Sequence, residues 1–108
     1  MVSSTHEHHE YLRKKKFATP VKREEVERDW QPRGYSVDLF VDPPGKEWTD
    51  FVHREDELVT VVSGTMEFTI GGDRCVVEPG DEVFIPAGVK HSTKNIGEGE
   101  AQWLYGYA

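Results

Sequence analysis

From Gly34 onward the chain alternates. Tyr35, Val37, Leu39 and Val41 are separated by Ser36, Asp38, Phe40 and Asp42, the two-residue period of a half-buried strand, and Pro43-Pro44-Gly45 ends it. On this reading the apolar phase faces inward. Similar runs predict strands at Trp48–His53, Leu58–Ser63, Thr65–Ile70, Arg74–Glu78, Glu82–Ile85, Ser92–Ile96 and Gln102–Tyr107. Gly71-Gly72 lies between two of them, and because glycine accepts positive φ the pair predicts a tight hairpin. Many short strands with turn chemistry between them predict an all-β sandwich or barrel.

The stretch before Gly34 is different. Residues 1–17 are polar, rich in histidine and then basic, with no period that would bury a face, and are expected to form a flexible arm. Val21–Trp30 has helix formers but a thin apolar stripe of Val21, Val26 and Trp30, which predicts at most a short helical turn. Residues 18–108 are therefore expected to make one domain, with its core over about 34–108.

Side chains two apart on a strand share a face, so Phe51 and His53 are expected to point the same way, and Glu57 can rejoin that face beyond Arg54-Glu55-Asp56. The spacings are specific. Gly80, five residues, Pro86, one, Gly88, two, His91, three and Asn95 is the pattern of the second cupin motif. Gly45, five residues, Phe51, one, His53, three, Glu57, six and Gly64 resembles the first motif, except that Phe51 stands where the family usually has a histidine. The 15 residues between Gly64 and Gly80 are a short spacing, similar to small bacterial or archaeal members. The resemblance covers residues 45–95 closely and implies a jelly-roll barrel.

It also implies a metal. In cupins the first motif supplies two His and a Glu and the second one His, which carries over here to His53, Glu57 and His91. Two imidazoles and a carboxylate suit one divalent Fe, Mn, Ni, Zn or Cu ion, with positions left open for water or substrate. Phe51 removes a donor and sets an apolar ring beside the ion. The alternative is that His53 and His91 are hydrogen-bonded barrel residues in a metal-free pocket. Phe51, Phe84 and Trp103 are expected on the pocket wall, and Tyr35, Trp48, Phe68, Tyr105 and Tyr107 are further aromatic candidates. Glu55 and Asp56 offer a substitute carboxylate or a solvated turn.

Composition narrows the functions. The net charge of −7 hides an asymmetry, since beyond residue 16 the chain carries 9 basic and 18 acidic residues. Such a body offers no basic face to a phosphate backbone, and no nucleic-acid partner is expected. No run is long enough for a membrane span, and the first 16 residues lack the apolar core of a signal peptide. Cys75, the single cysteine, excludes an intrachain disulfide, so a cytoplasmic protein is expected. It is read as a buried thiol. His6, His8 and His9 form a tract that could chelate a metal adventitiously. Two functions remain: a metal-dependent enzyme of dioxygenase or isomerase type, or a non-catalytic module that binds or senses a small molecule. Small cupins resembling this chain are commonly homodimers, and the Tyr35–Val41 edge strand is the expected interface.

Overall fold

The computed structural model describes residues 11–108. In chain order these form β1 (Leu12–Arg13), α1 (Arg23–Trp30), a 3-10 turn (Gln31–Arg33), β2 (Asp38–Asp42), β3 (Glu47–Phe51), β4 (Glu57–Ser63), β5 (Met66–Ile70), β6 (Asp73–Val77), β7 (Glu82–Ile85), β8 (His91–Asn95) and β9 (Ala101–Tyr107). Two antiparallel sheets, ordered β1-β7-β4-β9-β2 and β3-β8-β5-β6, face each other as a jelly-roll barrel. Each strand expected from alternation is present, with ends shifted by a few residues. The Gly71-Gly72 hairpin joins β5 to β6 with both residues at positive φ, +56° and +89°.

The core follows the strand period. Val59 and Val61 of β4 point inward and meet Met66, Phe68 and Ile70 of β5, Val77 of β6 and Val83 and Ile85 of β7, all nearly inaccessible to solvent. Each such side chain contributes about 1.5–3 kcal/mol through burial. Two motif glycines have a steric reason: a Cβ on Gly64 would stand 2.8 Å from the Ala101 Cα, and one on Gly80 would stand 2.5 Å from the Phe17 carbonyl oxygen. Both residues also hold φ near +90°.

Three expectations need correction. The segment Val21–Trp30 is more than a turn, because α1 runs for eight residues and lies on the outer face of the five-stranded sheet. Val26 and Trp30 are fully buried there with Phe17, Leu58 and Leu104, so a stripe too thin for an isolated helix is enough once a sheet covers it.

The expected arm is also shorter. Residues 1–10, with the His6, His8 and His9 tract, lie outside the described residues, but 11–17 are packed. Leu12 and Arg13 pair with Val83 and Glu82 of β7, and Phe17 is buried. The basic tract is not simply solvated, since Lys14 Nζ lies 2.8 Å from Asp81 Oδ2 and Lys16 Nζ 3.3 Å from Glu82 Oε2, both carboxylates being buried.

Finally, β2 has the opposite phase to the one its aliphatic residues suggest. Phe40 and Asp42 face the interior, while Leu39 and Val41 are 49% and 39% exposed. An aromatic cluster decides the phase: Phe40 packs against Trp48, Trp103 and Tyr105. Asp42 is buried at no net loss of hydrogen bonding, because it accepts from Trp48 Nε1 at 3.0 Å and Trp103 Nε1 at 3.1 Å.

Candidate metal centre

His91 is the first residue of β8 and faces Phe51 of β3 in register. Glu57 is the first residue of β4, opposite Ile85 of β7 and Tyr107 of β9. His53 belongs to the connection between β3 and β4. It is held there because its carbonyl accepts from the Gly88 N–H at 2.8 Å, which pins the Pro86-Ala87-Gly88 turn leading toward His91. The barrel thus joins residues from both sheets.

The ligand atoms of His53, Glu57 and His91 all lie within 4.8 Å of one another. Glu57 Oε1 is 3.5 Å from His53 Nε2 and 3.8 Å from His91 Nε2. Donors each about 2.1 Å from one ion stand roughly 3–3.5 Å apart, so small inward shifts would close the group on a single metal. Two further observations fit. Glu57 Oε1 is buried and has no hydrogen-bond partner, a costly arrangement unless a cation or proton satisfies it. His91 Nδ1 lies 3.2 Å from the Val89 carbonyl, which as acceptor fixes the proton on Nδ1 and leaves Nε2 a lone pair facing the group.

Burial sets the charges. Desolvation pushes the Glu57 carboxyl up to about 7 and pulls His91 below the ordinary histidine value, both toward their neutral forms. Tyr107 is pushed up to about 12, first by burial and then by Glu57, so its phenol keeps its proton. That hydroxyl lies 3.4 Å from His53 Nε2. Phe51 stands beside the three donors, its ring centroid 6.2 Å from each imidazole.

The group opens into a cavity of about 220 Å³ walled by Phe40, Trp48, Phe51, Phe68, Ile85, Thr93, Trp103, Tyr105 and Tyr107. Phe51 and Trp103 are on the wall, with Trp48, Phe68, Tyr105 and Tyr107. Phe84 is not: Val83 and Ile85 point inward, so strand alternation turns Phe84 outward, where it is 36% exposed. Tyr35 is on the outer face, under the Arg33 guanidinium. Asp56 is no extra ligand, because its Oδ1 accepts from the Ala87 N–H at 2.8 Å. Cys75 is buried, and desolvation holds its thiol up at about 11.

Sequence reasoning gave no role to Tyr107 beyond a place on the wall, and none to Thr93 or Phe40. The alternation Trp103, Tyr105, Tyr107 was the available signal for the first. Trp48 and Phe51, three apart, share a face only because a bulge with Asp50 at φ +59° interrupts β3.

The family model for the cupin domain matches residues 38–107. The chain belongs to the cupin family. A curated relative, the uncharacterized protein SCO3923 of Streptomyces coelicolor, is 36% identical over 66 residues, covering 61% of this chain and 63% of the relative. A sugar phosphate isomerase of the cupin superfamily from Silicibacter pomeroyi is 26% identical, with a TM-score of 0.61, over 68% of this cupin and 50% of that chain. An oxalate oxidase in complex with the substrate analogue glycolate is 26% identical, with a TM-score of 0.62, over 69% of this chain and 42% of its own. This cupin thus spans less than two thirds of each relative's length.

Proposed function

We propose that this cupin binds one divalent transition metal through His53, Glu57 and His91 and holds a small organic molecule in the adjoining cavity, as an enzyme of oxygenase or isomerase type. The observation that carries this reading is the buried, unpartnered Glu57 Oε1 facing the Nε2 atoms of both histidines. The likeness to an isomerase and an oxidase of the same fold supports the choice of chemistry.

A metal there would supply a Lewis acid with open positions. The chain's own residues do the rest. Glu57 gives up a proton that burial makes it hold near neutrality, and His91 presents Nε2 because Val89 keeps Nδ1 protonated. Tyr107, protonated and 3.4 Å from His53 Nε2, can donate a hydrogen bond to an oxygen of a bound molecule. Phe51 blocks one side, and the aromatic walls exclude water.

A second reading, a non-catalytic binding or sensing module, is favoured by Phe51, which removes the fourth family donor. We further propose a cytoplasmic homodimer. The single buried cysteine supports the compartment, and β2 supports the dimer: it is a sheet edge with unpaired backbone groups and exposed Leu39 and Val41. Among the described residues no helix is long and apolar enough to cross a membrane.

Metal analysis of protein purified without a histidine tag tests the central claim. About one equivalent of transition metal, lost in both His91→Ala and Glu57→Gln, is expected. Retention of metal in those variants would refute the site, and a metal-loaded protein without turnover on oxygenase and isomerase substrate panels would favour the sensing module.

A further inference from the structure

Seven of the twelve residues that line the cavity are Phe, Tyr or Trp, and none is Lys or Arg. Besides the Tyr105 phenol, its polar groups gather at two places. Glu57, the imidazoles and the Tyr107 hydroxyl form one end. Further in, Thr93 follows His91 by two positions on β8 and shares its inward face, about 7 Å along the strand. The Thr93 hydroxyl is buried and has no hydrogen-bond partner. Its neighbours in register are Trp48 and Phe68, which leave it unsatisfied because the Trp48 N–H is committed to Asp42.

We propose that the ligand of this pocket is a single uncharged aromatic ring bearing neutral oxygens, one directed to the His53–Glu57–His91 end and one to Thr93. Size supports one ring, since an apolar cavity of about 150 Å³ binds benzene and this one, at 220 Å³, leaves room for substituents. Ring faces from Trp48, Phe68 and Trp103 offer stacking and edge contacts. Charge excludes the alternatives. A phosphate or second carboxylate deep in the cavity would meet no cation and lose its hydration. A polyhydroxylated sugar would bury several hydroxyls for which this wall, with Thr93 and the Tyr105 phenol, has few partners. An ammonium ion, which aromatic walls can hold, would be repelled by a metal at Glu57. The assignment rests on the proposed function for what occupies the polar end and for the exclusion of an ammonium ion; the ring follows from the wall itself.

The test titrates phenol, hydroquinone under argon, glucose 6-phosphate and tetramethylammonium into the metal-free and the Zn(II)-loaded protein, following emission of Trp48 and Trp103 and checking by calorimetry. Phenol is expected to bind both forms at least tenfold more tightly than the sugar phosphate, and the Zn(II)-loaded form at least tenfold more tightly than the ammonium ion, with hydroquinone severalfold tighter than phenol. Thr93→Val should abolish the advantage of hydroquinone over phenol, an effect of about fivefold for one hydrogen bond, and Thr93→Ser should keep it. Equal or tighter binding of the sugar phosphate by either form or of the ammonium ion by the Zn(II)-loaded form, no binding of either aromatic, or equal weakening of both aromatics by Thr93→Val in a variant with normal melting would overturn the assignment. Zinc uptake, measured separately, decides the metal: no uptake with aromatic binding intact removes the ion and leaves the ligand class standing.

Discussion

Glu57 shows how one side chain links stability to binding. The folded protein holds its proton more tightly than the unfolded chain, since burial raises the carboxyl to about 7 against an ordinary value of about 4.3. Stability from this group is therefore present on the acid side and lost as pH rises through about 7. His91, shifted downward, acts in the opposite sense below its ordinary value of about 6.5. The Glu57 contribution to the melting temperature of metal-free protein should accordingly fall as pH rises from about 4.3 to about 7, offset by His91 below about 6.5, and Glu57→Gln should remove that fall in a calorimetric pH series. Metal affinity should run the other way, weakening as pH drops through about 7 because protons compete for the carboxylate and the imidazoles. Titration of Mn(II) at a series of pH values checks it. Phe51→His should tighten binding by roughly 1 kcal/mol, about fivefold, by returning a donor to a position beside both histidines. Equal affinity in wild type and variant would show that position 51 cannot reach the ion.

At the scale of elements, the segment before α1 completes the five-stranded sheet. Asp81, almost fully buried, accepts from Lys14 Nζ and from the Lys15 N–H, and Glu82 accepts from Lys16 and from Trp30 Nε1 at 2.8 Å. Removing residues 1–16 would delete the β1 pairing and leave Asp81 with the Glu78 N–H as its remaining partner. Each buried carboxylate so exposed to loss of partners costs about 1–3 kcal/mol. The truncated chain should unfold at a lower temperature and a lower urea midpoint than the full chain; identical midpoints would mean that this segment contributes nothing to stability. Trp30→Ala should cost about 3–5 kcal/mol, because it empties the centre of the outer cluster and removes one of the hydrogen-bond donors to Glu82. Urea unfolding measures it.

For the whole molecule, the exposed β2 edge leads to a solution state. Light scattering at micromolar concentration should give twice the chain mass, and Leu39→Lys, which puts a charge on that edge, should shift the protein toward monomer without changing its secondary structure. A monomer in both samples would rule out this interface.

The sequence by itself determined the strands and the turns, because those depend on local terms, a two-residue period and glycines that accept positive φ, while the three candidate ligands came from the resemblance of its motif spacings to those of the cupins. It was enough to bring out His53, Glu57 and His91 as one group. Tertiary structure alone decided the phase of β2, since Phe40 gains more from Trp48 and Trp103 than Leu39 and Val41 lose in water, and Asp42 finds two indole donors from other strands. It also decided which aromatics wall the cavity. The bulge at Asp50 brings Trp48 onto the face of Phe51, while alternation set by Val83 and Ile85 turns Phe84 away. The same holds for α1 and for residues 11–17, whose buried side chains pack on a sheet built by distant segments. The deciding partners include residues far away in the chain, as Trp103 is from Asp42 and Glu82 from Trp30, so a local window of sequence does not contain both members of those pairs.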